Sequence, residues 1–276
     1  MKKQVTTINN SKIYYWVRNP EQESTILMVH GFRGNHRALT KFAYQFKERV
    51  ILLDLPGYGE SQPMADEHSL DNFANFLMDF IKELNITNNL LLIGHSYGAS
   101  ICMNFASHTP KELTGLVLIN PSISADNLFN KFGDLYIKSV DFLPQRWRKA
   151  WLANRLFDLV GAEVLIKNVS YKRKQQLIKD GQRNLKDARP QVIVESFTSY
   201  RYSNTYNIAA KITTPTLIIA GALDRLALTS KVQELATHIQ NVELNVVERH
   251  GHLVPLERPV HTATLTKRFF ESINKK

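Results

Sequence analysis

The chain reads as an α/β protein, a mostly parallel twisted sheet flanked by helices. Three observations predict this. Six short apolar runs recur along the sequence: TILMVHG (25–31), VILLDLPG (50–57), LLLIGHS (90–96), GLVLIN (115–120), PTLIIAG (215–221) and VELNVVE (242–248). Each is rich in Leu or β-branched residues and ends in Gly, Asn, Ser or a charge, the pattern of strands covered on both faces. Helical patterns lie between the runs, and strand–helix–strand at that rhythm builds parallel βαβ units.

The elements follow in order. QVTTI and KIYYWV are joined by Asn9-Asn10-Ser11, which predicts an antiparallel hairpin at the sheet edge. In SLDNFANFLMDFIKELNI, residues Leu70, Phe73, Phe76, Leu77, Phe80, Ile81 and Leu84 fall at helical spacing, and Ser69 stands where a cap is needed. After LLLIGHS comes SYGASICMNFASH, a second helix. Cys102 falls within it, and its simplest role is that of a small core residue.

A different kind of segment interrupts the rhythm. From Leu128 to Ser203 the patterns are helical throughout, as in NLFNKFGDLYIKSVDFL and QRWRKAWLANRLFDLV. Between Pro121 and Ala210, fifteen Lys and Arg face eight Asp and Glu, so most of the chain's net charge of +10 sits there. The expected division is a core of residues 1–121 and 206–276 with a helical insert at 122–205. An insert between two sheet strands would stand over their carboxyl ends, where open α/β sheets hold ligands.

Composition excludes several classes. A chain of 276 residues with 43% hydrophobic content suits one large domain, or a domain with an insert, and contains no apolar run long enough to cross a bilayer. MKKQVTTINNSKIYYW has two lysines but no apolar stretch behind them, so no signal peptide is expected. A single cysteine rules out an internal disulfide and a Cys-rich zinc site, and points to a reducing, cytoplasmic location. No His-Glu-x-x-His spacing and no phosphate loop occur, and Gly57-x-Gly59 lacks the third glycine of a dinucleotide fingerprint, so neither metal nor cofactor is expected.

The chemistry concentrates in Gly94-His95-Ser96-Tyr97-Gly98. A strand that reverses sharply into a helix strains the residue at the turn, and glycines two before and two after remove the Cβ atoms that would collide. That is the nucleophile elbow, and here it follows an apolar strand and opens a helix. A serine hydroxyl needs a base, itself oriented by a carboxylate. ALDRLAL after one strand supplies Asp224, and RHGHLVPLERP after the next supplies His250 and His252. All three loops belong to the same sheet edge.

His30-Gly31-Phe32, DLPGYGES (54–61), the elbow, PTLIIAGALDRLA and GHLVPLERP, in that order over about two-thirds of the chain, resemble the α/β-hydrolase superfamily in its lid-bearing branch. The resemblance implies the α/β-hydrolase fold with a helical lid, Ser96 as nucleophile, Asp224 as acid and His252 as base. It further implies an oxyanion hole from the backbone N–H groups of Phe32 and Tyr97. His250 is the rival base, and Asp126 the rival acid, since some relatives carry the acid one strand earlier. His30 and His95 are read as structural, and Asp54 and Ser61 as shaping the turn of DLPGYGES. A serine at the elbow excludes the aspartate chemistry of haloalkane dehalogenases and epoxide hydrolases and the cysteine chemistry of lactone hydrolases.

The expected activity is hydrolysis of a small or lipid-like carboxylic ester through an acyl-enzyme. Thioester, lactone, amide and carbon–carbon bond cleavage use the same three residues in relatives, and a slow or non-catalytic ligand-binding member would keep the fold. The expected partner is a small-molecule ester. The basic insert could meet anionic lipid or nucleic acid, but YKRKQQ (171–176) is short and acids interleave elsewhere, so no nucleic acid is expected. The oligomeric state is left open.

Overall fold

A computed structural model describes residues 1–108, 110–123, 128–152, 161–187 and 189–275. Its centre is an eight-stranded sheet in the order β1-β2-β4-β3-β5-β6-β7-β8. The strands are β1 (Lys2–Ile8), β2 (Ser11–Arg18), β3 (Thr25–Val29), β4 (Arg49–Leu53), β5 (Leu90–His95), β6 (Leu113–Ile119), β7 (Thr216–Gly221) and β8 (Val242–Val247). From β4 onward every neighbour is parallel, and β1 and β2 add to the edge antiparallel. The hairpin turn is Asn9-Asn10, with φ of 46° and 66°. Positive φ at both central residues is what a two-residue hairpin requires, and asparagine tolerates it.

The central strands β3, β5 and β7 are buried along their whole length. Two apolar layers cover the two faces. On one, Phe73, Phe76, Leu77, Phe80 and Ile81 of helix Leu70–Glu83 join Ile101, Met103 and Phe105 of helix Tyr97–Ala106, and Cys102 is packed among them. On the other, Phe42 and Phe46 meet Ala263, Phe269 and Phe270 of helix Pro259–Ile273. The Ser69 side chain accepts from the Asn72 N–H and caps the first of these helices as expected. β8 departs from the sequence reading: it is only partly covered, because an edge strand has a sheet neighbour on one side alone.

Between β6 and β7 the described residues form no strand, and among their helices are Leu128–Ser139, Gln145–Leu152, Tyr171–Asp187, Pro190–Arg201 and Thr205–Ala209. Their contacts run to the carboxyl end of the sheet. Phe197 lies 5.9 Å from Phe32 between ring centroids, and Tyr200 lies edge-on to Tyr97 at 6.5 Å. Arg33 donates to the Leu152 carbonyl at 3.1 Å.

Phe80 is fully buried, edge-on to Tyr15 at 5.3 Å and stacked on Phe76. Truncating such a ring removes its transfer free energy and leaves a cavity, so Phe80→Ala should cost ~3–5 kcal/mol in chemical denaturation. Met78→Ala, two residues away but 38% exposed, should stay within about 0.5 kcal/mol of wild type.

Candidate active site

The site begins with a backbone that reverses on itself. Ser96 sits between β5 and helix Tyr97–Ala106 with φ 54° and ψ −121°, a strained conformation for a residue with a side chain. The flanking glycines make it possible. A Cβ on Gly94 would stand 2.5 Å from the Ala99 Cα, and one on Gly98 would stand 2.4 Å from the carbonyl oxygens of both Val29 and His30. The loop after β3 approaches equally closely, since a Cβ on Gly31 would lie 3.1 Å from the Ser96 Cβ.

Five loops reach this edge: His30-Gly31-Phe32 after β3, Ser96 after β5, Asn120-Pro121-Ser122 after β6, Asp224 after β7, and His252 after β8. They bring Ser96, His252 and Asp224 into one hydrogen-bonded line. His252 Nε2 lies 2.7 Å from Ser96 Oγ, and His252 Nδ1 lies 2.7 Å from Asp224 Oδ2. All three residues are buried. Burial alone would raise the Asp224 carboxyl, but His252 and the N–H groups of Ala227 and Leu226 outweigh it and hold the group below its ordinary value. An ionised Asp224 is an acceptor only, so Nδ1 of His252 carries the proton and Nε2 is left to accept from the serine hydroxyl.

The carboxylate is fully engaged. Its Oδ1 accepts from Leu226 and Ala227 at 2.8 and 2.9 Å, and its Oδ2 accepts from Asn120 Nδ2 at 2.7 Å as well as from His252. A buried anion with four donors is a stable fixture. Asn120 escaped the sequence reading, as did Ser122, whose Oγ is 3.2 Å from Ser96 Oγ. Their one sequence signal is position: both follow a strand that ends at the same sheet edge.

The remaining histidines divide as the sequence suggests. His30 Nε2 accepts from the Leu55 N–H at 3.1 Å while its Nδ1 donates to the Gly31 carbonyl, and burial keeps its pKa below the ordinary value. His95 Nε2 donates to the His252 carbonyl at 3.0 Å, and burial, reinforced by the neighbouring His252, pushes it down to about 3. It is a neutral bracket for the loop that carries the imidazole. His250, the rival base, donates from Nδ1 to the Glu248 carbonyl at 2.7 Å, and its own carbonyl accepts from Leu223; it is not the histidine at Ser96. Asp126, the rival acid, lies outside the described residues. Asp54 shapes its turn by accepting from the His36 and Glu60 N–H groups, and Ser61 Oγ donates to the Asp54 carbonyl.

No hydrogen bond to another described residue engages the N–H of Phe32 or of Tyr97. Both residues flank Ser96, one along the chain and one through the close approach of Gly31. Phe32 and Tyr97 thus each keep, near Ser96, a backbone N–H without a partner among the described residues. Among the described residues no group of His, Cys, Asp and Glu side chains could hold a metal ion. No helix among them is long and apolar enough to cross a membrane.

Three comparisons with known proteins bear on the family and the fold. The family described as alpha/beta hydrolase fold matches residues 24–259. The chain is similar to monoacylglycerol lipase ABHD6 of Homo sapiens, 26% identical over 95% of this chain and 79% of the relative. It is similar also to Lipase 1 of Psychrobacter immobilis, 25% identical over 97% of this chain and 83% of that one. Among solved structures, a thermophilic esterase from Thermogutta terrifontis superposes with a TM-score of 0.82 at 20% identity, covering 99% of both chains.

A carboxylate at the rim of the site has a consequence for stability. Glu257 accepts from the Lys167 N–H at 3.0 Å, and burial pushes its pKa up to about 7 from an ordinary 4.5. Between those values the folded chain keeps a proton that the unfolded chain releases, so this group makes stability fall as pH rises from 4.5 to 7, and the deficit persists above 7. Glu257→Gln keeps the acceptor without the charge. Thermal unfolding across that range should show the variant gaining on wild type as pH rises, with the two converging below pH 4.5.

Proposed function

The chain belongs to the alpha/beta hydrolase fold family, and on that footing we propose that it hydrolyses carboxylic esters, small or lipid-like, with Ser96 as nucleophile, His252 as general base and Asp224 as the carboxylate that orients it. The observation that carries this reading is the unbroken line Ser96 Oγ–His252 Nε2, His252 Nδ1–Asp224 Oδ2, at 2.7 Å for each link. A nucleophile, a base within hydrogen-bond reach and a third group orienting the base is the arrangement that acyl transfer requires.

The steps follow from the atoms. Ser96 Oγ attacks the ester carbonyl carbon and gives its proton to His252 Nε2. The carbonyl oxygen becomes an oxyanion beside the N–H groups of Phe32 and Tyr97, each worth ~10²–10³ in rate. Asp224, held by four donors, stabilises the imidazolium without taking its proton. The imidazolium then protonates the departing alcohol, leaving an acyl group on Ser96. Water enters with His252 again as base, the acid departs, and the serine is restored.

The segment 122–205, helical over most of its described residues, serves in this reading as a lid. Phe197 and Tyr200 press on Phe32 and Tyr97, the two residues assigned to the oxyanion hole, so they form an apolar roof beside the serine. An apolar roof favours an acyl chain over a charged substrate. Monoacylglycerol lipase and lipase relatives make lipid-like esters the substrate class of choice.

A series of p-nitrophenyl esters of increasing acyl length tests the proposal. Ser96→Ala should lose on the order of 10⁴–10⁶ in kcat and all labelling by a fluorophosphonate, with its unfolding transition intact. Asp224→Asn should lose about 10⁴ in kcat by misorienting the imidazole. Full activity in the alanine variant would overturn the mechanism.

A further inference from the structure

The segment between β6 and β7 opens with a helical hairpin. Helix Leu128–Ser139 passes through a turn at Val140–Phe142, and helix Gln145–Leu152 folds back along it. Two hydrogen bonds join the arms and a third closes the turn. Trp151 Nε1 donates to Ser139 Oγ at 2.9 Å, Tyr136 Oη donates to the Trp151 carbonyl at 3.1 Å, and Arg148 Nε donates to the Leu143 carbonyl at 3.1 Å.

The hairpin has an inside and an outside. Ile137, Val140 and Leu152 are buried against the rest of the protein, and Asp134 turns onto the Arg201 guanidinium with both oxygens. Outside, Leu135 is 68% exposed, Phe142 89% and Trp147 56%. Trp151, one helical turn beyond Trp147, is exposed on the same side. Lys131, Lys138, Arg146 and Lys149 are exposed around them. Between Leu128 and Leu152 there are five Lys and Arg against two Asp, and Asp134 is already turned inward.

Single exposed apolar residues are ordinary, but a Phe at a corner, two Trp on one helix side and four exposed cations on the same two helices, one of them, Arg146, beside the Trp147 ring, call for an occupant. We propose that this hairpin is the face by which the protein settles on an anionic lipid surface. The chemistry matches on both counts. Indole and phenyl rings at a convex corner suit the boundary between headgroups and acyl chains, and Lys and Arg beside them suit negatively charged headgroups. A nucleic acid would stack its bases on rings lining a groove, whereas Phe142 and Leu135 project outward.

The placement ties docking to the site. Leu152, at the end of the hairpin, holds Arg33, and Arg33 follows Phe32 in the chain. The hairpin that carries the exposed rings is thus tied through its buried end to the loop beside Ser96. This deepens the lipid-ester reading and rests on it for its purpose, although docking itself requires no turnover.

Flotation with vesicles tests it, using phosphatidylcholine alone and phosphatidylcholine mixed with phosphatidylglycerol. Wild type and Ser96→Ala should both float with the anionic vesicles at low salt, and their Trp emission should shift to the blue. Phe142→Ser/Trp147→Ser should lose on the order of tenfold in vesicle affinity. Its hydrolysis of a soluble short-chain p-nitrophenyl ester and its circular dichroism should match wild type. Equal flotation of that double variant, no flotation of any variant, or retention on single-stranded DNA but not on vesicles would overturn the proposal. If wild type floats but cleaves no ester, docking stands and the hydrolase reading falls; if it cleaves soluble ester but floats with neither vesicle, docking alone falls.

Discussion

The geometry of this protein turns on one close approach, the backbone of helix Tyr97–Ala106 lying directly against the end of β3. Gly98 has no room for even one more carbon, because the carbonyl oxygens of Val29 and His30 already occupy that space. That contact forces the reversal at Ser96 and gives it a φ of 54°. The strain is affordable because the sheet beneath is buried and continuous: the Ser96 N–H donates to the Ile119 carbonyl of the next strand, and the helix behind the serine is packed on all sides. A fold with a rigid floor can hold one uncomfortable residue at its edge.

From that fixed serine the other loops take their positions. Gly221 and Gly251 repeat the same device, since a Cβ on Gly221 would come within 2.1 Å of the Gly251 carbonyl oxygen. This tight approach brings the loop after β7 against the loop after β8, and so sets Asp224 beside His252. The Asn120 amide then fixes the carboxylate from a third loop at 2.7 Å, and His95 pins the His252 carbonyl from the elbow itself. Several parallel strands ending at one edge give this arrangement without any strand having to bend.

The sequence carried much of this because its strongest signals were local. Apolar runs marked the strands, Asn9-Asn10 marked a turn that needs positive φ twice, and paired glycines marked the elbow. Each is a constraint that a residue satisfies with its own backbone or its near neighbours. The partly exposed β8 was less legible, because an edge strand differs from a central one only in what lies beside it. Asn120 and Ser122 were missed for the same reason. Nothing in LINPS says that its amide meets a carboxylate 104 residues later. Spacing alone does not separate His250 from His252; the resemblance favours His252, and in the fold it is the His252 ring that faces the serine.

The helical segment has no motif, yet it meets both halves of the site. The Leu165 carbonyl accepts from the His252 N–H at 2.8 Å, and the Leu152 carbonyl accepts from Arg33 beside Phe32. These are backbone carbonyls, so the bonds themselves do not depend on the chemistry of the side chains at 152 and 165, which are packed into the core. Phe197 and Tyr200 act differently, since their rings touch Phe32 and Tyr97 directly and their identity shapes the space beside Ser96. On the proposed reading, a segment built this way can change what it admits without disturbing how the imidazole is held. Shape selectivity and alignment of the reacting groups fall, on that same reading, to different helices of the segment, the first to side chains and the second to backbone carbonyls, which is why the alignment leaves no trace in the side-chain pattern.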